Sequence, residues 1–278
     1  MHQNIAATLA GHLDRTMRIP ADLGPIRATY QAGRPFAHVV LDDLFDPALL
    51  ARVLADGRGL DAAQLTRFER EGLERTARMS SPLELGSAGE EFVALLHSAP
   101  FLYFLSEITG GWQLLPDPYL QGAGHAVMRR GDFFEIHADR SVAYDTGLVR
   151  RLALIVFLNE DWKPEFAGNL ELWDAEGKAC EVALAPIFNR TVLFEVAHPN
   201  YHGVPQPLAC PAGRARHSFI VYFHTASAAG KDAIKAHSSR FAPSAYRRKE
   251  PALRRAARRL MPPFLLDVLR RLRGRSIE

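Results

Sequence analysis

Apolar and polar positions divide the chain into three stretches of different texture. Ile5, Leu9 and Leu13 recur at helical spacing until Pro20 interrupts them. Phe36–Leu41 is a short β-branched and aromatic run that predicts a first strand. Asp46-Pro47 then offers an N-cap and a first-turn proline for a helix whose apolar face is Leu49, Leu50, Val53 and Leu54. Residues 58–80 are charged and fit neither period. Ser87–His97 and Ser98–Thr109 predict two helices, the second capped by Ser98 and ended by Gly110-Gly111. Phe92, Leu95, Leu96, Phe101, Phe104 and Leu105 give these helices a face to pack on a sheet.

From Tyr119 onward the texture is short strands between turns. His125–Met128, Phe133–His137, Arg151–Leu158, Asn169–Trp173, Thr191–Val196 and His217–His224 are the predicted strands. This spacing, with almost no helical period between strands, argues for a double-sheet jelly roll. The fold class is mainly β with flanking helices (α+β): a double-stranded β-helix core and a basic helical tail. The division is 1–114 as a helical and strand support region, 115–227 as the jelly-roll core and 228–278 as the tail.

Composition narrows the class. Apolar residues make up 47% of the 278 and charged residues 23%, enough to bury a sizeable core. No apolar run reaches the ~18 residues of a membrane-spanning helix. Residues 1–20 lack the basic start and apolar centre of a secretory signal, and Cys180 and Cys210 give no disulfide framework. A cytoplasmic protein is expected. The net charge of +3 hides an asymmetry: residues 228–278 hold fourteen Lys/Arg against four Asp/Glu, or +10, which leaves −7 for residues 1–227.

The candidate chemistry lies between Phe133 and Phe223. His137 and Asp139 are two apart on an extended segment, so both face one side of it. His202 sits about one strand and one turn later, after the run Thr191–Val196, placed to return from an opposite wall. Two imidazoles and a carboxylate on one face of an octahedral ion leave three positions open, the arrangement of non-haem Fe(II) oxygenases. The same donors also suit Zn(II) at a hydrolytic site, a reading that gives Arg216 no task. Arg216 lies fourteen residues beyond His202, and Pro205, Pro207, Pro211 and Gly213 between them predict a turn that folds its strand back beside His202. A buried arginine needs an anion, and a carboxylate suits its fork, with Ser218 on the same strand face adding a hydrogen bond.

The segments GDFFEIHADRS, RRLALIVFLNEDWKPEFAGNLELWD and NYHGVPQPLACPAGRARHSFIVYF resemble the Fe(II)- and 2-oxoglutarate-dependent dioxygenases, in particular the prolyl 4-hydroxylase-like branch. The resemblance covers residues 115–225 and reaches weakly to RPFAHVVLDDLFDPALLARVL. Residues 158–165 are similar to the ribosomal-protein prolyl hydroxylases. The resemblance implies iron ligands at His137, Asp139 and His202, which are also the catalytic residues, and 2-oxoglutarate contacts at Arg216 and Ser218. The family's Gly-Gly before the next strand is Ala167-Gly168 here, which puts a close backbone approach in question.

The implied function is hydroxylation of a C–H bond with oxidative decarboxylation of 2-oxoglutarate to succinate and CO2. The cofactors are Fe(II), 2-oxoglutarate as co-substrate, and ascorbate as reductant. Dioxygen and a peptidyl-proline substrate are the expected partners, and no DNA is expected. A small-molecule substrate (amino acid, sugar or secondary metabolite) is the alternative, and a non-catalytic adaptor working through its tail is the alternative of another class. Phe133, Leu154, Ile155 and Phe194 are candidates to shield the reaction, or else plain barrel core. His198, His125, His217 and His224 read as structural. In the tail, apolar stripes from Leu253 to Leu272 alternate with paired arginines. Residues 247–275 fit an anionic membrane surface or an acidic partner, or pack on the core with their arginines solvated.

Overall fold

A computed structural model describes residues 16–111, 113–143, 146–226 and 239–242. The helical pattern at Ile5–Leu13 and most of the basic tail, including residues 247–275, lie outside the described residues.

Among the described residues four α-helices precede the main run of strands. Helix α1 (Gly24–Ala32) leads into β1 (His38–Asp42) and α2 (Pro47–Gly59). The Asp46 carboxylate accepts from the backbone N–H groups of Ala48 and Leu49 at 3.4 and 3.1 Å, so α2 starts where the cap and proline predicted. Its Leu49, Leu50, Val53 and Leu54 are all buried. Helices α3 (Ser87–Leu96) and α4 (Ala99–Thr109) follow, with the Ser98 hydroxyl accepting from Phe101 N and Gly110 closing α4 at φ 103°. Among the described residues no single helix is long and apolar enough to cross a membrane.

Residues 58–80, unplaced by pattern, form a hairpin of β2 (Leu65–Arg70) and β3 (Glu74–Met79). The remaining strands are β4 (Gly124–Arg129), β5 (Phe133–Ala138), β6 (Val149–Phe157), β7 (Leu170–Trp173), β8 (Cys180–Leu184), β9 (Arg190–Glu195), β10 (His202–Val204), β11 (Ala215–Thr225) and β12 (Arg240–Phe241). They join one curled antiparallel sheet in the order β1-β9-β6-β11-β4-β3-β5-β10-β7-β8, with β2 on β3 and β12 on β5. This is the expected mainly β, jelly-roll-like core with flanking helices.

Strand alternation assigns each face its task. On β6, β9 and β11 one face carries Leu152, Leu154, Val156, Leu193, Phe219, Val221 and Phe223 against the helices. The other face turns Ala153, Ile155, Phe157, Val192, Phe194 and Tyr222 into the curl, where Leu170 and Leu172 meet them. Both faces of β6 are therefore dry, which explains why Leu152–Leu158 reads as a continuous apolar run. The core's contacts extend past residue 227: Arg240 and Phe241 pair with Ala138 and His137, and Ala242 is fully buried beside Ile136 and Trp173.

Candidate metal and co-substrate site

His137 sits at the end of β5 and His202 opens β10, and the two are register partners on neighbouring strands. The expectation that His202 returns from an opposite wall is thus corrected, because β10 lies directly beside β5. Glycine at Gly203 makes this pairing possible, since a Cβ there would lie 2.8 Å from the Phe134 carbonyl oxygen. Asp139 follows β5 by one residue. Its Oδ1 lies 3.5 Å from His137 Nε2 and its Oδ2 3.5 Å from His202 Nε2. One ligand atom from each of the three falls within 4.8 Å of the others, and all three residues are buried.

The other ring nitrogens fix the tautomers. His137 Nδ1 lies 2.8 Å from the Glu135 carbonyl and His202 Nδ1 3.2 Å from that of Asn200. A carbonyl only accepts, so each Nδ1 carries the proton and each Nε2 presents a lone pair to the centre. The Phe134 ring stacks on His137 at 3.9 Å and Phe194 packs on His202 at 4.6 Å, which restrains both imidazoles. Burial lowers the His137 pKa and favours the neutral ligand form. Burial opposes the charge on Asp139, but wherever His202 or His137 carries a proton on Nε2 the attraction outweighs burial and holds the carboxyl well below its ordinary range. A hard carboxylate and two neutral imidazoles, converging with no second carboxylate, fit a divalent first-row metal.

Tyr222, which sequence reasoning missed, donates from its hydroxyl to Asp139 Oδ2 at 3.1 Å. Burial pushes its phenol up, so it is a neutral donor throughout the neutral range. The Arg150 guanidinium lies over its ring at 4.0 Å. The signal was available: Arg216, Ser218, Ile220 and Tyr222 alternate along β11 and all line the triad cavity.

Arg216 is 4% exposed and forms no ion pair with any carboxylate among the described residues. Its Nε donates to the Gly168 carbonyl at 2.8 Å, and its guanidinium carbon lies 4.8 Å from the Phe157 ring centroid. Burial pushes its pKa down to about 9, which still leaves it a cation at neutral pH. The predicted turn does not set its strand beside His202. In the sheet β11 is separated from β10 by β4, β3 and β5, and the curl instead brings Arg216 and the triad around one cavity. Ser218 lines the same cavity.

The question raised by Ala167-Gly168 is answered by backbone conformation. Ala167 takes φ 56° and ψ −150°, a region that favours glycine, and Gly168 takes φ 83°. A Cβ on Gly168 would stand 3.2 Å from Arg216 Cδ, so the close approach is kept. Of the four shielding candidates, Ile155 and Phe194 line the cavity. Leu154 instead packs toward the helices, and Phe133 does not line the cavity. His125, His217 and His224 lie on strands, as expected of structural residues.

A curled β core whose cavity holds a His-Asp-His cluster and a buried arginine without a carboxylate partner among the described residues fits the class of non-haem metal oxygenases that use a 2-oxo acid. Residues 123–224 match the family model of the 2OG-Fe(II) oxygenase superfamily. The match, together with the triad, implies Fe(II) and 2-oxoglutarate, with dioxygen and a substrate to oxidise. A prolyl-4-hydroxylase from Pseudomonas putida is 19% identical, with a TM-score of 0.51 over 72% of this chain and 98% of its own. A prolyl hydroxylase from Trichoplax adhaerens, solved with a hypoxia inducible factor peptide, is 16% identical, with a TM-score of 0.53 over 73% and 90%. The non-haem alpha-ketoglutarate-dependent epimerase SnoN of nogalamycin biosynthesis is 14% identical, with a TM-score of 0.52 over 82% and 100%. No curated protein sequence matches the chain.

Proposed function

We propose that the protein hydroxylates a prolyl residue of a peptide or protein, with His137, Asp139 and His202 as iron ligands and Arg216 and Ser218 as the anchor of 2-oxoglutarate. The observation that carries this reading is the buried Arg216 cation, without a carboxylate partner among the described residues, facing the same cavity as the triad. A buried charge is stable only when paired, and a dicarboxylic co-substrate supplies the missing anion.

Iron and 2-oxoglutarate, when bound, supply the oxidation of the C–H bond. The chain's own residues select, place and protect. Nδ1–H bonds to backbone carbonyls aim both Nε2 lone pairs at one point. Tyr222 holds one oxygen of Asp139, orienting the carboxylate. Gly168 and Phe157 set the height of the Arg216 fork, which receives the far carboxylate and so fixes the co-substrate along the cavity. Ile155, Phe194, Leu170 and Val204 line the cavity with apolar surface and exclude water from the reacting centre. The prolyl preference is supported by the resemblance of residues 158–165 to ribosomal-protein prolyl hydroxylases and by the fold shared with two prolyl hydroxylases.

The test is release of succinate from 2-oxoglutarate in the presence of Fe(II), with mass spectrometry of proline-containing peptides and of a metabolite extract. The reading expects a gain of one oxygen on a prolyl peptide, with succinate release abolished by His137→Ala. Oxygen gain confined to metabolites reassigns the substrate class, and 2-oxoglutarate turnover unaffected by His137→Ala overturns the site.

A further inference from the structure

A second and larger cavity, a cleft of about 1050 Å³, opens behind the triad. Alternation along β4 and β11 separates the two. Ala126, Met128, Arg216 and Ser218 face the triad cavity, whereas Val127, Arg129, Ala215 and His217 face the cleft. The end of α2 and the loops after β6 and before β11 complete its walls.

Four guanidinium groups gather there: Arg58 from α2, Arg129 and Arg130 from the β4 end, and Arg214 ahead of β11. None forms an ion pair among the described residues. Arg214 is engaged by the Glu160 carbonyl and the Phe166 ring, and Arg130 reaches the Ala209 and Cys210 carbonyls at 3.4 and 3.3 Å. Arg58 and Arg129 lie close enough to His217 for their charges to act on it. The floor is dry and neutral. His217 is buried and joined to His125 through Nδ1···Nε2 at 2.9 Å, and Asn159 is occupied by the backbone of His217 and Pro186. Glu160 and Asp161 also line the cleft, and neither forms an ion pair with its arginines among the described residues.

Two guanidinium forks from separate elements approach an anion from different directions, which the tetrahedrally arranged terminal oxygens of a phosphate meet more readily than the two coplanar oxygens of one carboxylate. The cavity volume is of the order of a small-molecule site. We propose that this cleft binds a small phosphorylated ligand, with its phosphate held between Arg58 and Arg129. This inference is independent of the metal site.

The experiment is calorimetric titration of the full metal-free chain with pyrophosphate and with inorganic phosphate, with succinate and a tetra-aspartate peptide as comparisons. The expected result is saturable one-to-one binding of pyrophosphate, tighter than succinate. The double variant Arg58→Gln/Arg129→Gln should weaken it by about a hundredfold, roughly tenfold per lost charge-assisted contact. Both arginines are exposed, so an unchanged melting temperature verifies that the variant is folded. Binding should survive Arg216→Met, which excludes the other cavity as its place. Failure of pyrophosphate to saturate up to about 1 mM, a concentration that corresponds to only weak affinity, would overturn the proposal. So would binding unchanged in the double variant, or tighter binding of tetra-aspartate.

Discussion

Replacing Arg216 by methionine separates two quantities that a merely structural arginine would move together. In the folded chain its guanidinium is 4% exposed, and burial pushes it from 12.5 down to about 9. Each unit is worth about 1.4 kcal/mol, so burial disfavours the charge by several kcal/mol. Against this stand a hydrogen bond to Gly168, at most about 1–3 kcal/mol if its carbonyl is left unpaired, a weak one to the Met128 sulfur at 3.8 Å, and the contact with the Phe157 ring, about 0.5–2 kcal/mol. Without co-substrate, Arg216→Met should therefore melt no lower than the parent chain and up to about 5 °C higher. With co-substrate the sign reverses. Losing a buried fork-to-carboxylate pair costs about 3–5 kcal/mol, so the 2-oxoglutarate dissociation constant should rise roughly 100- to 4000-fold. Arg216→Lys keeps the charge but loses the fork, and falls between. Scanning fluorimetry with and without 2-oxoglutarate measures both quantities. A variant with a lower melting temperature and unchanged 2-oxoglutarate affinity would refute the reasoning.

Three further outcomes follow from single contacts. Ala167→Gly relieves a backbone conformation that costs an L-residue about 1–3 kcal/mol, so it should raise the melting temperature by a few degrees with turnover unchanged; a lower melting temperature refutes the strain. Tyr222→Phe removes the donor that orients Asp139 and should weaken Fe(II) binding by about 10- to 100-fold, measured by anaerobic titration, while the fold holds; equal affinity would make the tyrosine a packing residue. Burial depresses His125 to about 3 and His217 to about 4 from an ordinary 6.5, so between these values the unfolded chain binds more protons than the folded one. Stability present above about pH 6.5 should thus be lost as pH falls toward 4, by several kcal/mol. His125→Asn should flatten that slope in urea titrations, and a parent chain equally stable at pH 4.5 and 7 would contradict it.

The local rules that were legible worked where one residue decides an outcome. Asp46-Pro47, Ser98 and Gly110 mark helix ends through backbone hydrogen bonds that need no tertiary partner. The β2–β3 hairpin escaped because its charged residues obscure the alternation: in Leu65–Arg70 only Leu65 and Phe68 are partly buried, and pairing rather than burial holds the strand. Cys180–Leu184 escaped for a like reason at the sheet edge, and His202–Val204 because three residues carry no period. The five candidate site residues could be named from motif spacing and resemblance, and they meet around one cavity. Their arrangement was not legible. That β10 lies beside β5 while Arg216 arrives through the curl depends on strand order, which no local pattern encodes.

The most direct test of the central claim is an anaerobic titration of the chain with Fe(II) and 2-oxoglutarate, followed by visible absorption. A 2-oxo acid chelated to ferrous iron gives a charge-transfer band, and the account predicts one that saturates at one iron and one 2-oxoglutarate per chain. The band should vanish in His137→Ala and Asp139→Ala, and require far more 2-oxoglutarate in Arg216→Met. No band in the parent chain, or a band that persists without Asp139, would contradict it.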